Sequence, residues 1–383
     1  MTTLHWTEND EPHEALWRSE AGVNPPKRVR VADDTMNADT AYRLACEGTA
    51  LLWRGDYHNA RLLLQALARR IDRRPKKLAP KGTKLEPGQA FHLHRKAQAE
   101  RARVLGHLLV PLDAGHVIPL RRAPDVAAAC TEAWGPSGEG GEPAVVSLRE
   151  LLGLIGAHEW RRRGVPIPAL DDALVHPHYG VFSPVRGEYV ELVAQAPFPA
   201  ALAADSRAFD IGTGTGVLAA VLARRGVKQV IATDNDARAL ACARENLAAL
   251  KVDKAVSLVE ADLFPEGQAP LIVCNPPWLP ARPHAPVERA VYDPESRMLR
   301  GFLVGLKDHL SPGGEGWLIL SDLAEHLGLR TRAELQGWIA EAGLKATGRL
   351  EVDPQHAKAR DTDDPLHTAR AKEVTSLWRL VAA

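Results

Sequence analysis

The residues best suited to chemistry stand at the end of the apolar run "LIVC" (271–274), where Asn275, Pro276, Pro277 and Trp278 follow. The run has the composition of a buried strand, and proline ends strand pairing because it has no N–H to donate. An amide oxygen, a rigidly held carbonyl and an indole remain at the strand tip. Two such acceptors can hold both N–H groups of an amide or exocyclic amine, and the indole can stack on a planar group. The alternative is a strand-ending turn with Trp278 in the core.

A glycine loop precedes this motif by about sixty residues, in "FDIGTGTGV", with Asp210, Gly212, Thr213, Gly214 and Gly216. A strand, a glycine turn and a helix start in this order predict a ligand loop at the carboxyl end of a parallel sheet. The spacing is GxGxG, so the third glycine of the dinucleotide fingerprint is absent. Asp210 adds a negative charge that suits a cationic ligand, S-adenosylmethionine (SAM), better than a pyrophosphate.

Two further acids end the next strand-like runs. Asp234, followed by Asn235, ends "QVIATD", where a carboxylate can accept both hydroxyls of a ribose. Asp262, followed by Leu263, ends "VSLVEAD", where it can accept from an adenine amino group. Each aspartate taken alone also fits a helix cap or a solvated loop, and the combination with the glycine loop favours the ligand interpretation.

These motifs resemble those of the class I SAM-dependent methyltransferases, over about residues 175–383. "DIGTGTG" is similar to the first motif of that family, Asp234 to its ribose-binding acid and Asp262 to its adenine-binding acid. "LIVCNPPW" is similar to the [DNS]PP[YFW] motif of the amino-methylating branch. That branch includes release-factor glutamine methyltransferases and adenine or guanine amino-group methyltransferases, and its last motif position is usually Tyr or Phe.

The resemblance also implies roles for residues outside these motifs. The segment "GVFSPVRGEYVELV" looks like the one that folds over the cofactor, which places Phe182 at the cofactor and Arg186 near the substrate. Apart from the resemblance, the stretch 353–373, with His356 and Arg360, is predicted either to grip the substrate or to form a solvated hairpin, and its length for a hairpin connection favours the first. The implied cofactor is SAM, the product is S-adenosylhomocysteine, and no metal is expected.

From residue 208 onward, strand-like and helical runs alternate, which predicts a doubly wound α/β domain with a mostly parallel sheet. We predict a Rossmann-like, seven-stranded methyltransferase sheet over 175–383. Residues 135–174, which begin with "GPSGEGGEP", are predicted to be a linker and connecting helix. Residues 1–134 are predicted to be a mainly helical, basic region.

The basic character is concentrated between Arg69 and Arg103, where twelve Lys and Arg residues face three acids. Such density fits a phosphate-contact surface, and Trp53, Tyr57 and Phe91 nearby could stack on bases. A solvated helix face and core aromatics are the alternatives. The region predicts RNA as a partner, in preference to DNA.

The composition excludes several classes of protein. The formal net charge of the 383 residues is zero, so any attraction to a polyanion must be regional. The four cysteines have no metal-ligand spacing, and no apolar run is long enough to span a membrane. The polar N-terminus lacks signal-peptide features, which predicts a cytoplasmic protein.

The sequence as a whole therefore predicts a SAM-dependent N-methyltransferase. We expect it to methylate an exocyclic amino nitrogen of a nucleic-acid base, with a protein glutamine or a small amine as the alternative. A non-catalytic binding module is the third possibility, and the combination of Asp210, Asp234 and Asn275 disfavours it.

Overall fold

A computed structural model describes residues 2–73, 86–137, 141–185, 187–283, 286–354, 361–362 and 364–383. The described residues form two compact units. The first holds those within Met1–Lys84, His92–Glu159 and His284–Pro286, and the second those within Leu85–Phe91, Trp160–Pro283 and Val287–Ala383.

In the described residues up to 163, strands and helices alternate. The strands are β1 (Thr3–Glu8), β2 (Glu11–Arg18), β3 (Arg28–Ala32), β4 (Thr49–Trp53), β5 (Leu108–Leu112) and β6 (Ala144–Ser147). The helices are α1 (Ala38–Cys46), α2 (Tyr57–Arg73), α3 (Pro87–Leu105), α4 (Ala127–Trp134) and α5 (Leu148–Arg163). The strands form a six-stranded mixed sheet in the order β1-β2-β6-β5-β4-β3.

The prediction of a mainly helical N-terminal region is therefore wrong, because a sheet forms the centre of this unit. Strands β1 and β3 alternate apolar and polar residues, which is the pattern of a half-buried strand, but the longer helical runs beside them outweigh this signal in the prediction. The predicted linker is also wrong in part, since β6 lies inside the sheet. Trp53, Tyr57 and Phe91 are all buried, so none of them offers a face for base stacking.

Three ion pairs reduce the free positive charge of the predicted basic surface. Arg70 pairs with Asp39 at 2.8 Å, Arg101 pairs with Asp72 at 3.1 Å, and Arg103 pairs with Glu100 at 2.7 Å. Five of the twelve basic positions (74, 76, 77, 81 and 84) lie outside the described residues. Exposed ion pairs of this kind contribute little to stability, but they partly neutralise the three arginines that could bind phosphates.

The second unit contains the predicted α/β fold. Its strands are β7 (Val165–Ile167), β8 (Ala173–Val175), β9 (Arg207–Ile211), β10 (Gln229–Asp234), β11 (Val256–Glu260), β12 (Ala269–Cys274), β13 (Leu310–Ser321), β14 (Leu344–Val352) and β15 (Thr375–Ala382). Its helices are α6 (Glu188–Gln195), α7 (Val217–Arg224), α8 (Ala237–Ala249), α9 (Arg297–His309), α10 (Leu323–His326), α11 (Arg332–Glu341) and α12 (His367–Arg370).

In this part of the described chain a seven-stranded sheet has the order β11-β10-β9-β12-β13-β15-β14, which confirms the predicted sheet. The strands from β11 to β13 are parallel, and β15 runs antiparallel to both of its neighbours. The strand order reverses between β9 and β12. From β9 the chain continues to β10 on one side, and from β12 it continues to β13 on the other side. A crevice outside the carboxyl ends of the strands forms at such a switch point, and ligands of open α/β sheets bind there.

Buried apolar side chains cover both faces of this sheet. One cluster packs α6 and α7 against one face, and another packs α9 and α11 against the other. Strand β12 is buried at all six positions, which explains why its sequence is apolar throughout and not alternating. Across the described residues, no helix combines the length and apolar character needed to span a membrane.

Candidate active site

The strand register places the predicted site residues at one level of the sheet. Ile211 at the end of β9 is opposite Cys274 of β12 and Thr233 of β10. The residues that follow, Gly212, Asn275 and Asp234, therefore leave three adjacent strands side by side. Neighbouring strands lie about 4.8 Å apart, so these residues share one crevice at the switch point.

Asp210 lies beneath the glycine loop and is almost fully buried. Its Oδ2 accepts hydrogen bonds from Thr213 Oγ1 at 2.6 Å and from the backbone N–H of Ala219 in α7 at 3.1 Å. Burial raises the pKa of this carboxyl to about 6, although both hydrogen bonds oppose the shift. Asp210 thus ties the loop to the first turn of α7.

Asp234 also fastens the loop, from the tip of the neighbouring strand. Its Oδ2 accepts from the N–H of Gly214 at 3.0 Å, and its Oδ1 accepts from the N–H of Asp236 at 3.0 Å. The carboxylate is only partly buried, and burial raises its pKa. It retains free lone pairs, so it can accept ligand hydroxyls in the crevice. Asn235 beside it is exposed.

The glycines are required by backbone angle and by space. Gly212, Gly214 and Gly216 have φ values of 71°, 56° and 81° in the left-handed region. A Cβ on Gly212 would lie 2.5 Å from Met298 Cε, and one on Gly216 would lie 3.2 Å from Ala243 Cβ. A Cβ on Gly214 would meet nothing within 4 Å, so this residue faces open space. The loop therefore fits a ligand that approaches its backbone closely.

The side chains of Asn275 and Trp278 are joined by a hydrogen bond. Trp278 Nε1 donates to Asn275 Oδ1 at 2.9 Å. The indole nitrogen can only donate, so this bond identifies the Asn275 oxygen and fixes the orientation of the amide. The Trp278 ring is partly buried and packs against both apolar clusters of the sheet. The packing agrees with the core interpretation of Trp278, while its stacking on a substrate stays a prediction.

The two prolines leave a carbonyl free, as the sequence predicted. Within the described part of the chain, the carbonyl oxygen of Pro276 accepts no hydrogen bond. Pro277 is partly buried, and the chain then turns back through Leu279, whose N–H donates to Val291 at 3.1 Å. The strand tip therefore holds two acceptors in adjacent residues, the amide oxygen of the partly buried Asn275 and the carbonyl of the buried Pro276.

Comparison with known proteins agrees with this geometry. Residues 173–331 match the methyltransferase small domain family, and this match covers the glycine loop, Asp234 and the Asn-Pro-Pro-Trp motif. The second unit therefore contains a methyltransferase domain over these residues.

Three relatives are similar to parts of this chain. A release factor glutamine methyltransferase of Xylella fastidiosa is 33% identical over 196 residues, covering 46% of this chain and 65% of that protein. A release factor glutamine methyltransferase of Deinococcus radiodurans is 36% identical, and the match covers 37% of this chain and 55% of that protein. A ribosomal protein L11 methyltransferase of Symbiobacterium thermophilum is 43% identical, and the match covers 18% of this chain and 23% of that protein. The chain thus spans less than two thirds of each of these relatives.

Asp262 of the methyltransferase domain is exposed and already has a partner. Its Oδ2 lies 2.8 Å from Arg297 Nη2, at the start of α9. Leu263 beside it has a φ of 80°, and its carbonyl accepts from Thr233 Oγ1 at 2.5 Å. The backbone here is held by this hydrogen bond. A ligand that binds the Asp262 carboxylate must bind it together with Arg297.

The segment predicted to cover the cofactor packs along α8. Val181 forms a small buried cluster with Ala239 and Cys242, and Phe182 packs beside Tyr189 with ring centroids 6.4 Å apart. Arg186, His356 and Arg360 lie outside the described residues, and their predicted roles remain predictions.

Two residues of the site had no signal in the sequence. Asn246 in α8 is buried, and its Nδ2 donates to the carbonyl of Thr215 at 3.1 Å while its Oδ1 accepts from the N–H of His176 at 2.8 Å. Asp293 caps α9 by accepting from the N–H groups of Met298 and Leu299 at 3.0 and 3.1 Å. Neither residue belongs to a local pattern, because each acts through contacts distant in sequence. No group of metal-ligating side chains occurs in the regions that the structure describes.

Proposed function

We propose that this chain is a SAM-dependent N-methyltransferase that acts on the side-chain amide nitrogen of a glutamine in a protein. The observation that carries the proposal is the position of two acceptors, Asn275 Oδ1 and the Pro276 carbonyl, one strand away from the glycine loop. When bound there, SAM supplies an electrophilic methyl group.

The chain's own residues activate the amide nitrogen by position and charge. An amide nitrogen is a weak nucleophile, because its lone pair is delocalised into the carbonyl. Asn275 Oδ1 and the Pro276 oxygen accept its two N–H groups, which concentrates electron density on nitrogen and orients it toward the crevice. Asn275 Oδ1 has two lone pairs, so it can accept from Trp278 and from the substrate together. The surplus proton leaves to water after transfer, so a strong base is not required.

Names of the relatives support a protein substrate over a nucleic acid. Two of those cited are release factor glutamine methyltransferases and one is a ribosomal protein L11 methyltransferase. The nucleic-acid substrate expected from the basic region lacks comparable support. Trp53, Tyr57 and Phe91 are buried, and Arg70, Arg101 and Arg103 are paired with carboxylates.

The test is incubation of the enzyme with methyl-labelled SAM and either total protein or total RNA from a deletion strain. We expect label in protein, and acid hydrolysis should release it as methylamine, because a methylated glutamine amide hydrolyses to glutamate and methylamine. Label in RNA alone would contradict the proposed substrate. A chain without measurable SAM binding would contradict the catalytic role itself.

A further inference from the structure

Arg330 is a buried arginine without a partner for two of its nitrogens. It lies in the chain between α10 and α11 and is 3% exposed. Its Nε and Nη2 have no hydrogen-bond partner among the described residues. An uncompensated buried guanidinium is costly, so folded proteins retain one where it serves a purpose.

These two nitrogens form the edge that binds carboxylates elsewhere in this chain. Arg379 holds Glu315 through Nε at 2.8 Å and Nη2 at 2.6 Å. The same edge is used by three other arginines, in the pairs Arg54–Glu8, Arg101–Asp72 and Arg103–Glu100. Two parallel N–H groups match the two oxygens of a carboxylate. Arg330 presents this fork with nothing in it.

The neighbouring carboxylates are engaged by other groups. Glu325 accepts from Arg332 Nε at 2.8 and 2.9 Å. Asp293 accepts two backbone N–H groups of α9, and Glu334 accepts from the N–H and hydroxyl of Thr331. Their charges act on Arg330 from a distance, while burial lowers its pKa. None of these three acids fills the fork.

Arg330 lies on the side of the sheet where the acceptors of the site emerge. The preceding residue, Leu329, packs in an apolar cluster with Leu279, the residue after Trp278. The carbonyl of Leu279 accepts from the N–H of Asp293 at 2.8 Å, and the Asp293 charge reaches Arg330. Arg330 therefore belongs to the loop that follows β13 at its carboxyl end, and this loop packs against the one that follows β12.

We propose that the Nε–Nη2 edge of Arg330 is a receptor for a ligand carboxylate at the methyl-transfer site. The carboxylate comes from an acidic residue near the target glutamine or from the methionine end of the cofactor. The substrate as source of the carboxylate rests on the proposed function, whereas the receptor role of Arg330 does not.

Melting temperatures test the fork without any turnover. Arg330→Met removes an unsatisfied charge at similar length, so it should raise the melting temperature of the full chain by a few degrees. The matched control is Arg332→Met, which breaks the pair with Glu325 and should lower it. An unchanged or lowered melting temperature for Arg330→Met would mean that the guanidinium has an internal partner, and the proposal would fall.

Binding measurements then identify the source of the carboxylate. Calorimetric titration with SAM should lose about 10-fold or more in affinity in Arg330→Met if the cofactor fills the fork. If the protein substrate fills it, SAM affinity stays the same, and half-saturation by total cell protein as methyl acceptor rises about 10-fold with kcat unchanged. Arg330→Lys should recover little, because it restores the charge without the fork. If both affinities are unchanged, the receptor role is overturned. If no protein accepts methyl groups, the proposed function fails. The melting temperatures and the SAM affinities still test whether Arg330 is a carboxylate receptor.

Discussion

At the scale of single residues, the hydrogen bond between Trp278 and Asn275 gives the tryptophan a role that Phe cannot fill, because Phe has no donor. Trp278→Phe keeps a flat ring and removes the N–H that orients the Asn275 amide. We expect kcat to fall about 10-fold, with substrate KM and SAM affinity nearly unchanged, because the bond positions a group used in the transition state. Trp160→Phe, an exposed indole in α5, is the control and should behave as wild type.

The same bond can be measured directly by NMR. In protein labelled with ¹⁵N-tryptophan, Asn275→Ala should shift one indole N–H resonance toward the position of a solvent-exposed indole. If no indole resonance moves, the Trp278 hydrogen bond is absent in solution, whatever the kinetics show.

The carboxylate of Asp234 gives a prediction on ligand affinity. Asp234→Ala removes the acceptor predicted for the ribose and also releases the N–H of Gly214. SAM affinity should fall about 10-fold or more, since a charge-assisted hydrogen bond contributes about 1.5–3 kcal/mol. Asp253→Ala, an exposed acid after α8, is the control. Equal affinities in the two variants would remove Asp234 from the ligand site.

Asp210 makes stability depend on pH. Burial raises its pKa in the folded chain from 3.8 to about 6. Below about pH 4 both states hold the proton, and as pH rises through 6 the folded state must accept a buried charge. The folded chain therefore loses about 3 kcal/mol relative to a chain with a neutral residue at this position. Melting temperatures of wild type and Asp210→Asn should diverge between pH 4 and 6, with wild type falling, and stay parallel above that range. A constant difference over the whole range would contradict the pKa shift.

At the scale of elements, helix α9 presses on the glycine loop through Met298, and Asp293 holds its first turn. Asp293→Ala should destabilise the chain by about 1–2 kcal/mol and weaken SAM binding, since it removes the cap that fixes Met298 against Gly212. Asp308→Ala, exposed near the other end of α9, should do neither. Chemical denaturation and calorimetry measure the two effects. A loss of stability with SAM affinity unchanged would separate α9 from the loop.

The elements also explain which parts of the structure the sequence could predict. Central strands such as β12 are apolar at every position and end in polar or glycine residues, so their place and their tips are readable. Edge strand β14 is mostly exposed and carries Lys345, Arg349 and Glu351, and β1 and β3 are similarly polar. These strands alternate apolar and polar residues, which is a strand pattern but a weaker one than the continuous apolar run of a central strand.

The candidate site divides in the same way. Gly212, Asp234 and Asn275 lie at the ends of apolar strands. That position predicts from the sequence that they belong to a ligand site. Asn246 and Arg330 act through contacts that exist only in the folded chain, so neither could be found from spacing.

At the scale of the whole molecule, ligand binding should couple to stability. The glycine loop is held by Asp210, Asp234 and Asn246, which belong to β9, β10 and α8. A ligand that binds this loop only in the folded state should raise the melting temperature, by the equivalent of about 2.7 kcal/mol at 100 times its Kd. Thermal shift with SAM and S-adenosylhomocysteine checks this, and NAD is the control ligand. A larger shift with NAD than with SAM would contradict the loop assignment.

The central claim is that Asn275 and the Pro276 carbonyl position the nitrogen that is methylated. The most direct test measures the methyl-transfer rate and the calorimetric SAM affinity of Asn275→Ala beside wild type, with total cell protein as acceptor. We predict a rate at least about 100-fold lower, as for loss of a preorganised hydrogen-bonding group, with SAM affinity nearly intact. A variant that transfers methyl groups at the wild-type rate would contradict the claim.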